Sequence, residues 1–450
     1  MVRHDLVSAS VYLGYTMVLL LAGLALLPRL LRQSLRGVPY HRHLRERFGY
    51  GPMIQAASAA AHGCLWFHAA SVGEVQGLRP IVTALHERFP HLAMVLSTFT
   101  PTGRAMARRV LPEAIAVGVL PLDLPWILQR VVREVRPRML IVQETELWPH
   151  LFRTVARQGV PVVLVNGRLS PRAFRRYTWV RFLMRRVLAD VTLLLAQSDE
   201  SCRRFQQLGA AAQRTRVVGN TNIDRAFMAV EEAVGDHPLA FLAQGKRLWI
   251  AGSTHEGEET VLLRVYRRLY RQHPDLLLVV APRHLERVEA VARHVQAHQC
   301  RVLRRSLIDR HTLGVLCGPT VVIMDTLGEL ATFYGLGAVA FVGGSLVPIG
   351  GHNILEPAVF GTPLCFGPHM HHFPELAAML CQAGGAKQVQ GEAELYAYMA
   401  HVLAHPEAGR TTGRKALQAL ESNRGALAQT IQAVTALLLQ EYADLQSTTL

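Results

Sequence analysis

The chain has 450 residues, half of them hydrophobic, and a net charge of +15 carried almost wholly by arginine. That length exceeds one typical core and sets two domains as the expectation, and the apolar half excludes a disordered chain. The charge points to an acidic partner (nucleic acid, anionic lipid or a phosphorylated substrate), and its sign alone does not separate these from a solvated basic face.

Six cysteines, Cys64, Cys202, Cys300, Cys317, Cys365 and Cys381, are scattered without CxxC spacing, several in apolar strands. They read as reduced, buried thiols of a cytosolic compartment. At the N-terminus, Val11 to Leu27 is almost wholly apolar and approaches the ~20 residues that span a bilayer. Arg29, Arg32, Arg36, Arg42, Arg45 and Arg47 follow it. The basic side stays cytoplasmic, so the expectation is a single N-terminal anchor with the body of the protein facing the cytoplasm. A cleaved signal peptide fits poorly, because no small-x-small site precedes the basic cluster. A helix that dips into the interface stays open.

From Gly63 strands and helices alternate. Strands are predicted at Cys64–Ala70, Ala93–Ser97, Ala114–Leu120, Met139–Gln143, Val162–Asn166, Val191–Ala196 and Arg216–Val218. Helices fall between them at Val75–Phe89, Thr102–Arg109, Pro125–Val135, Leu147–Arg157, Phe174–Leu188 and Glu200–Leu208. The pattern is that of a doubly wound parallel sheet. It lapses over Ala226–Lys246, read as a linker. A second set follows at Leu248–Ala251, Leu276–Ala281, Val302–Leu303, Val321–Met324, Ala338–Val342 and Pro363–Phe366. Arg410–Leu450 has helical spacing and reads as a closing helix that can cross back to the first domain. In open α/β sheets ligands sit beyond the C-terminal strand ends, so the chemistry is sought there.

Two carboxylate segments lie at such ends. His68-Ala-Ala-Ser-Val-Gly-Glu74 leads from the first strand into a helix, and Gln143-Glu-Thr-Glu-Leu-Trp-Pro149 leaves another strand. Glu74 in a cleft has the chemistry of a general base for a hydroxyl. Glu144 brought near it would raise a pKa by like-charge repulsion. Each glutamate also reads as an ordinary helix-start carboxylate satisfying the dipole, and spacing leaves both readings open.

In the second half, Gly252-Ser-Thr-His-Glu256, Ala281-Pro-Arg-His284 and Asp325-Thr-Leu-Gly-Glu329 end successive strands. Arg283 is a fork for a phosphate or carboxylate. Val339 to Val342 then breaks at Gly343, Gly344, Gly350 and Gly351, with a helix expected from His352 or Asn353. Glycines beside a helix start favour an anionic phosphate, and Glu356 could accept from ribose hydroxyls. An ordinary tight strand–helix loop is the alternative. His369, His371 and His372 match no standard metal spacing. Arg168, Arg172, Arg175, Arg176, Arg181, Arg185 and Arg186 fall mostly on one helix and suit an anionic membrane or a phosphorylated acceptor. No nucleic-acid motif accompanies them.

Taken together and in order, SVGE (Ser71–Glu74), TPTG (Thr100–Gly103), ETELWP (Glu144–Pro149), NGRLS (Asn166–Ser170), AQSDE (Ala196–Glu200), GST (Gly252–Thr254), APRH (Ala281–His284), DTLGEL (Asp325–Leu330) and GGHNILEPA (Gly350–Ala358) resemble the Kdo transferases of lipopolysaccharide synthesis. Those enzymes move 3-deoxy-D-manno-octulosonic acid (Kdo) from CMP-Kdo to a lipid A precursor. The resemblance implies an α/β chain of GT-B type, with two Rossmann-like domains, an interdomain cleft and an N-terminal membrane helix. The boundaries are 1–36 for the anchor, 37–224 for the acceptor domain, 225–246 for the linker, 247–410 for the CMP-Kdo domain and 411–450 for the closing helix. It implies an inverting transferase of the bacterial inner membrane, without metal or other cofactor and without nucleic acid.

By the same resemblance Glu74 is the general base and Glu144 stabilises the transition state. Pro282, Arg283, Leu327, Gly328, Glu329, Asn353, Ile354, Leu355 and Glu356 match the CMP-binding segments. Asn222 stands where the family usually has a second stabilising lysine; Arg225 is near enough in sequence to substitute. Two other readings stand beside this one: another membrane-associated GT-B enzyme acting on a nucleotide sugar, or a non-catalytic relative favoured by Asn222 alone.

Overall fold

The computed structural model describes residues 2–35, 44–111, 115–232, 239–308 and 318–448. Cys317, Arg36, Arg42 and the linker residues 233–238 lie outside them. The chain folds as two units, residues 1–224 with 424–450 and residues 225–423.

The first unit is built on seven parallel strands: β1 (Cys64–Ala69), β2 (Ala93–Thr98), β3 (Ile115–Val119), β4 (Pro137–Gln143), β5 (Val162–Gly167), β6 (Leu193–Ala196) and β7 (Thr215–Val217). They lie in the order β3-β2-β1-β4-β5-β6-β7. Every residue of β1 is buried, as a parallel strand covered on both faces requires. One layer of core gathers Trp66, Leu140, Val142 and Phe152. The other gathers Leu65, Phe67, Leu78 and Val82.

Local chemistry sets the helix starts. Ser71, Thr100, Ser170 and Ser198 each accept an amide three residues on, satisfying one of the orphan donors of a helix N-terminus. The single Arg-rich helix expected over Phe174–Leu188 is two helices, Pro171–Trp179 and Arg181–Ala189. Val180 between them leaves the helical region at φ −113°, ψ 31°.

The second unit repeats the plan with β8 (Arg247–Thr254), β9 (Leu276–Pro282), β10 (Arg301–Arg304), β11 (Thr320–Ile323), β12 (Gly337–Val342), β13 (Leu364–Phe366) and β14 (Ala386–Gln388). These lie parallel in the order β10-β11-β9-β8-β12-β13-β14. Trp249, Tyr266, Leu278 and Phe341 anchor its core.

Three stretches differ from the sequence reading. Residues 225–232, placed in a linker, continue the helix Thr221–Glu232. The C-terminal stretch is two helices, Pro406–Glu421 and Ala426–Thr448. The second belongs to the first unit, where Val434 and Leu438 enter the core with Leu78 and Val82. Its start is tied down by Asp224, whose carboxylate accepts from the amides of Gly425 at 2.7 Å and Leu427 at 3.2 Å.

The third difference concerns the membrane. Among the described residues no helix is long and apolar enough to cross a bilayer. The N-terminal helix Val2–Leu35 is one-sided instead. Tyr12 donates to Asp190 at 3.1 Å, Tyr15 to Asp123 at 2.9 Å, and Thr16 meets His150 at 2.8 Å. Leu13, Met17, Val18, Leu20, Leu21 and Leu24 are exposed on the remainder. A run of hydropathy does not distinguish a helix that is apolar all round from one whose tyrosine hydroxyls are spent on a protein surface.

Candidate active site

The first sheet reverses its strand order between β1 and β4, and a crevice opens beyond the strand ends at such a point. Glu74 follows β1 and Glu144 follows β4, and the two strands are direct neighbours, His68 opposite Val142.

Glu74 reaches back over the start of its own helix, past the N-cap Ser71. Its Oε2 accepts from the Ala70 amide at 2.8 Å and its Oε1 from the Ser71 hydroxyl at 2.8 Å. The helix-start reading is therefore present in the structure, and it fixes the carboxylate at the crevice. Burial pushes the Glu74 carboxyl up to about 7; the Ala70 amide and Ser71 hydroxyl pull it down, while Glu144 and Glu146 push it up. A carboxyl poised there can take a proton from a hydroxyl near neutral pH. Glu144 sits at φ +58°, a left-handed conformation that costs a non-glycine residue about 1 kcal/mol or more. Glu146 turns towards the buried His68, 3.7 Å away, and accepts from the Trp148 indole at 3.1 Å. Trp148 also donates to His68.

Behind the carboxylates is a buried polar patch. Gln143 is fully buried, and among the described residues neither end of its amide has a partner; Asn166 Nδ2 and Thr221 Oγ1 are likewise unpaired. Buried polar atoms are normally satisfied, so such a group points to water or ligand atoms. Asn222 borders it: a Cβ built on Gly77 would lie 2.7 Å from Gln143 Nε2 and 3.7 Å from Asn222 Oδ1. Gly77 thus leaves the space in which these amides meet the Glu74 helix.

The second sheet reverses between β8 and β12, and the glycine-rich loop leaves β12 there. Part of the row of amides expected to cradle a phosphate is taken up within the protein. The buried carboxylate of Glu258 accepts from the amides of Gly344 at 2.7 Å, Ser345 at 3.0 Å and Leu346 at 3.0 Å, and from His255 at 2.9 Å. These amides are therefore not left for a ligand. The helix beyond also starts later than expected, at Leu355, and runs only to Val359.

The residues matched to the nucleotide segments stand in different states. Pro282 ends β9 and Arg283 is exposed beside it. Asn353 donates to Glu356 at 3.1 Å and accepts from the Leu355 amide at 3.2 Å. Burial raises the Glu356 carboxyl, against the pull of Asn353, Arg225 and Arg283. Ile354 and Leu355 are core side chains, which leaves only their backbone for a ligand. Leu327 is 81% exposed, Gly328 has φ +90°, and Glu329 pairs with Arg305 at 2.6 Å. Among the described residues no three His, Cys, Asp or Glu side chains converge as metal ligands. Sequence reasoning missed the Glu258 nest and a contact between His255 and His352, whose Nε2 atoms are 2.8 Å apart. The sequence motifs held both histidines but not Glu258, and nothing local pairs any of them.

A family model described as 3-deoxy-D-manno-octulosonic-acid transferase (kdotransferase) matches residues 42–225. The chain is 34% identical over 414 residues to the 3-deoxy-D-manno-octulosonic acid transferase of Haemophilus influenzae, covering 92% of this chain and 95% of that one. With the Bordetella pertussis enzyme of the same name it shares 32% over 398 residues, covering 86% and 90%. Among solved structures, UDP-GlcNAc 2-epimerase from Neisseria meningitidis bound to UDP-GlcNAc superposes with a TM-score of 0.59 at 14% identity, covering 83% of this chain and 99% of that one. This last likeness is one of fold alone: GT-B-like, with two parallel Rossmann-like sheets.

Proposed function

The chain belongs to the Kdo transferase family, and from that premise we propose how its residues divide the work. It is a glycosyltransferase that moves Kdo from CMP-Kdo in lipopolysaccharide core biosynthesis. In our reading the acceptor is a lipid A precursor of the lipid IVA type and the reaction is one inverting displacement. The acceptor oxygen bonds to the anomeric carbon, the bond from that carbon to the phosphate oxygen breaks, and CMP leaves with the electron pair.

Glu74 takes the acceptor hydroxyl's proton. The observation that carries this is its carboxyl raised to about 7 by burial, with Glu144 near enough to act on it. Glu144 faces the positive charge that develops on the sugar. Asn222, beside the unpaired Gln143 amide, donates hydrogen bonds where the family's lysine would bring charge. Arg283, Asn353, Glu356 and the backbone at Pro282, Leu327, Gly328, Glu329, Ile354 and Leu355 hold the nucleotide.

The protein works at the bacterial inner membrane, from its cytoplasmic side. The exposed leucines of the N-terminal helix support this, as do exposed Arg172, Arg175, Arg176, Arg181 and Arg185 with exposed Trp179 and Phe182. Apolar and cationic groups together suit an anionic interface.

The test is transfer from CMP-Kdo to tetraacyl lipid A precursor by the detergent-solubilised protein, with Glu74→Ala in parallel. Product from wild type and none from the variant is expected. Release of CMP without dependence on the acceptor overturns the assignment of the acceptor.

A further inference from the structure

Two imidazoles face each other at the switch point of the second sheet. His255 follows β8 and His352 ends the loop after β12, the strands on either side of the reversal. Their Nε2 atoms are 2.8 Å apart, the rings are parallel within 2°, and the centroids are 5.1 Å apart. That spacing equals the nitrogen separation plus the two ring radii. The rings therefore lie edge to edge, joined by one nearly linear N–H···N bond, rather than stacked face to face. One ring donates and the other accepts, which fixes both tautomers when the pair is neutral. Gly344 makes room for them: at its φ of +65°, a Cβ would lie 2.9 Å from His352 Cδ2.

Such a pair accepts one proton easily and a second with difficulty. The first goes to Nδ1 of the donating ring and leaves the bridge in place, now charge-assisted. The second puts a hydrogen on both facing nitrogens and breaks the bridge. In the free protein the surroundings of the pair disfavour its charged form. Burial lowers both histidines, His352 to about 4, and Arg283 and His284 lower them further, with Arg287 acting on His255 and His372 on His352.

The acids around this cluster are already engaged. Glu258 is held by four amides. Glu259 is paired with Arg287 at 2.8 Å and Thr254 at 2.9 Å. Glu286 reaches His284 only at 3.9 Å and is exposed, and Glu256 lies exposed near Arg287. Arg283 has no ion pair among the described residues. Glu356, the acid on which Arg283 acts, is buried and held by Asn353 at 3.1 Å, so the exposed Arg283 and the two imidazoles can meet a further anion at the place where an open α/β sheet receives its ligand.

We propose that the His255–His352 pair, with Arg283 and His284 beside it, is the seat of the donor's phosphate and takes up one proton from solvent when the phosphate dianion of CMP settles there. This rests on the reading that CMP binds in the second unit. In CMP-Kdo the phosphate is a diester with one negative charge; in departing CMP it gains a second. A pair that is neutral beside the diester and cationic beside the dianion favours the leaving group over the substrate, which is the direction that accelerates transfer.

The experiment is calorimetric titration of the detergent-solubilised full-length chain with CMP and with cytidine. It is run slightly above neutral pH, where free CMP is already a dianion because its second phosphate pKa is about 6, in two buffers of different protonation enthalpy. The expected result is uptake of about one proton with CMP and none with cytidine. His255→Gln and His352→Gln should each abolish the uptake and weaken CMP about tenfold, with cytidine affinity unchanged. Retained cytidine binding shows that a variant has folded, and the wild-type proton count decides independently of either variant. CMP binding without linked proton uptake, or with uptake that survives both substitutions, overturns the proposal and leaves the nucleotide site standing. No CMP binding by wild type takes down both.

Discussion

The Ser71 hydroxyl donates to Glu74 at 2.8 Å, while Ser71 Oγ accepts from the Glu74 amide at 3.4 Å, so the proposed base and the cap of its helix are one device. Ser71→Ala removes both contacts. Loss of the cap should cost about 1 kcal/mol, read as a lower midpoint in thermal unfolding. Loss of the hydroxyl removes a contact that holds the carboxyl down, so the limb of the pH–rate profile governed by Glu74 should move to higher pH. A lower midpoint with an unmoved limb would make Ser71 a cap only.

Glu74 itself predicts the shape of that profile. A base must be ionised, so kcat/KM should rise through about pH 7 as the carboxyl loses its proton. Stability should run the other way. The folded carboxyl holds its proton to higher pH than the unfolded one, so its contribution is fully present below the unfolded pKa and lost as pH rises towards 7. Glu74→Gln removes that penalty. It should lower transfer by about 10² to 10⁴, and its denaturation midpoint relative to wild type should improve between pH 5 and 8. A parallel pH dependence of stability in both proteins would refute the raised carboxyl.

Glu258 makes a separate prediction. Its carboxylate satisfies four amides that otherwise have no acceptor. Glu258→Ala should destabilise the second unit by about 3 kcal/mol and loosen the loop through His352. Urea unfolding and CMP affinity should fall together. An unchanged unfolding midpoint would show that water replaces the carboxylate without loss.

Asn222 borders the unpaired Gln143 amide. Asn222→Lys adds a donor and a charge to that patch. It should raise kcat several-fold with little change in CMP affinity, as a group acting in the transition state does. An equal or lower kcat would show that the amides already serve.

The exposed arginines of Pro171–Trp179 and Arg181–Ala189 predict salt-sensitive membrane contact. Arg175→Glu with Arg176→Glu should release the protein from anionic vesicles, by about 1 kcal/mol for each charge removed, while leaving neutral vesicles unaffected. Flotation at low and high salt measures this. Equal binding before and after substitution would leave the N-terminal helix as the main contact.

Much of the site was legible because its signals are local. Glu74 and Glu144 follow apolar strands, and a strand end is visible as a hydrophobic run meeting small residues. The boundaries of β1, β4, β8 and β9 lie close to the predicted runs because buried parallel strands are apolar without alternation. The break in the Arg-rich helix is invisible in the sequence because composition does not reveal a φ of −113° at Val180. Hydropathy over Val11 to Leu27 suits a spanning helix and an interfacial one alike, because it does not show where Tyr12 and Tyr15 spend their hydroxyls.

By itself the sequence determined the two-sheet α/β architecture, the motifs that place the chain among its relatives, and the strand ends that carry the carboxylates. All of these depend on residues within one element or one turn. Only the tertiary structure decided that Glu258 takes up part of the amide row expected to cradle a phosphate, and that His352 meets a histidine 97 positions away. Those outcomes depend on strand order. Setting β8 against β12 brings two distant loops together, and no local pattern of side chains encodes which strands become neighbours.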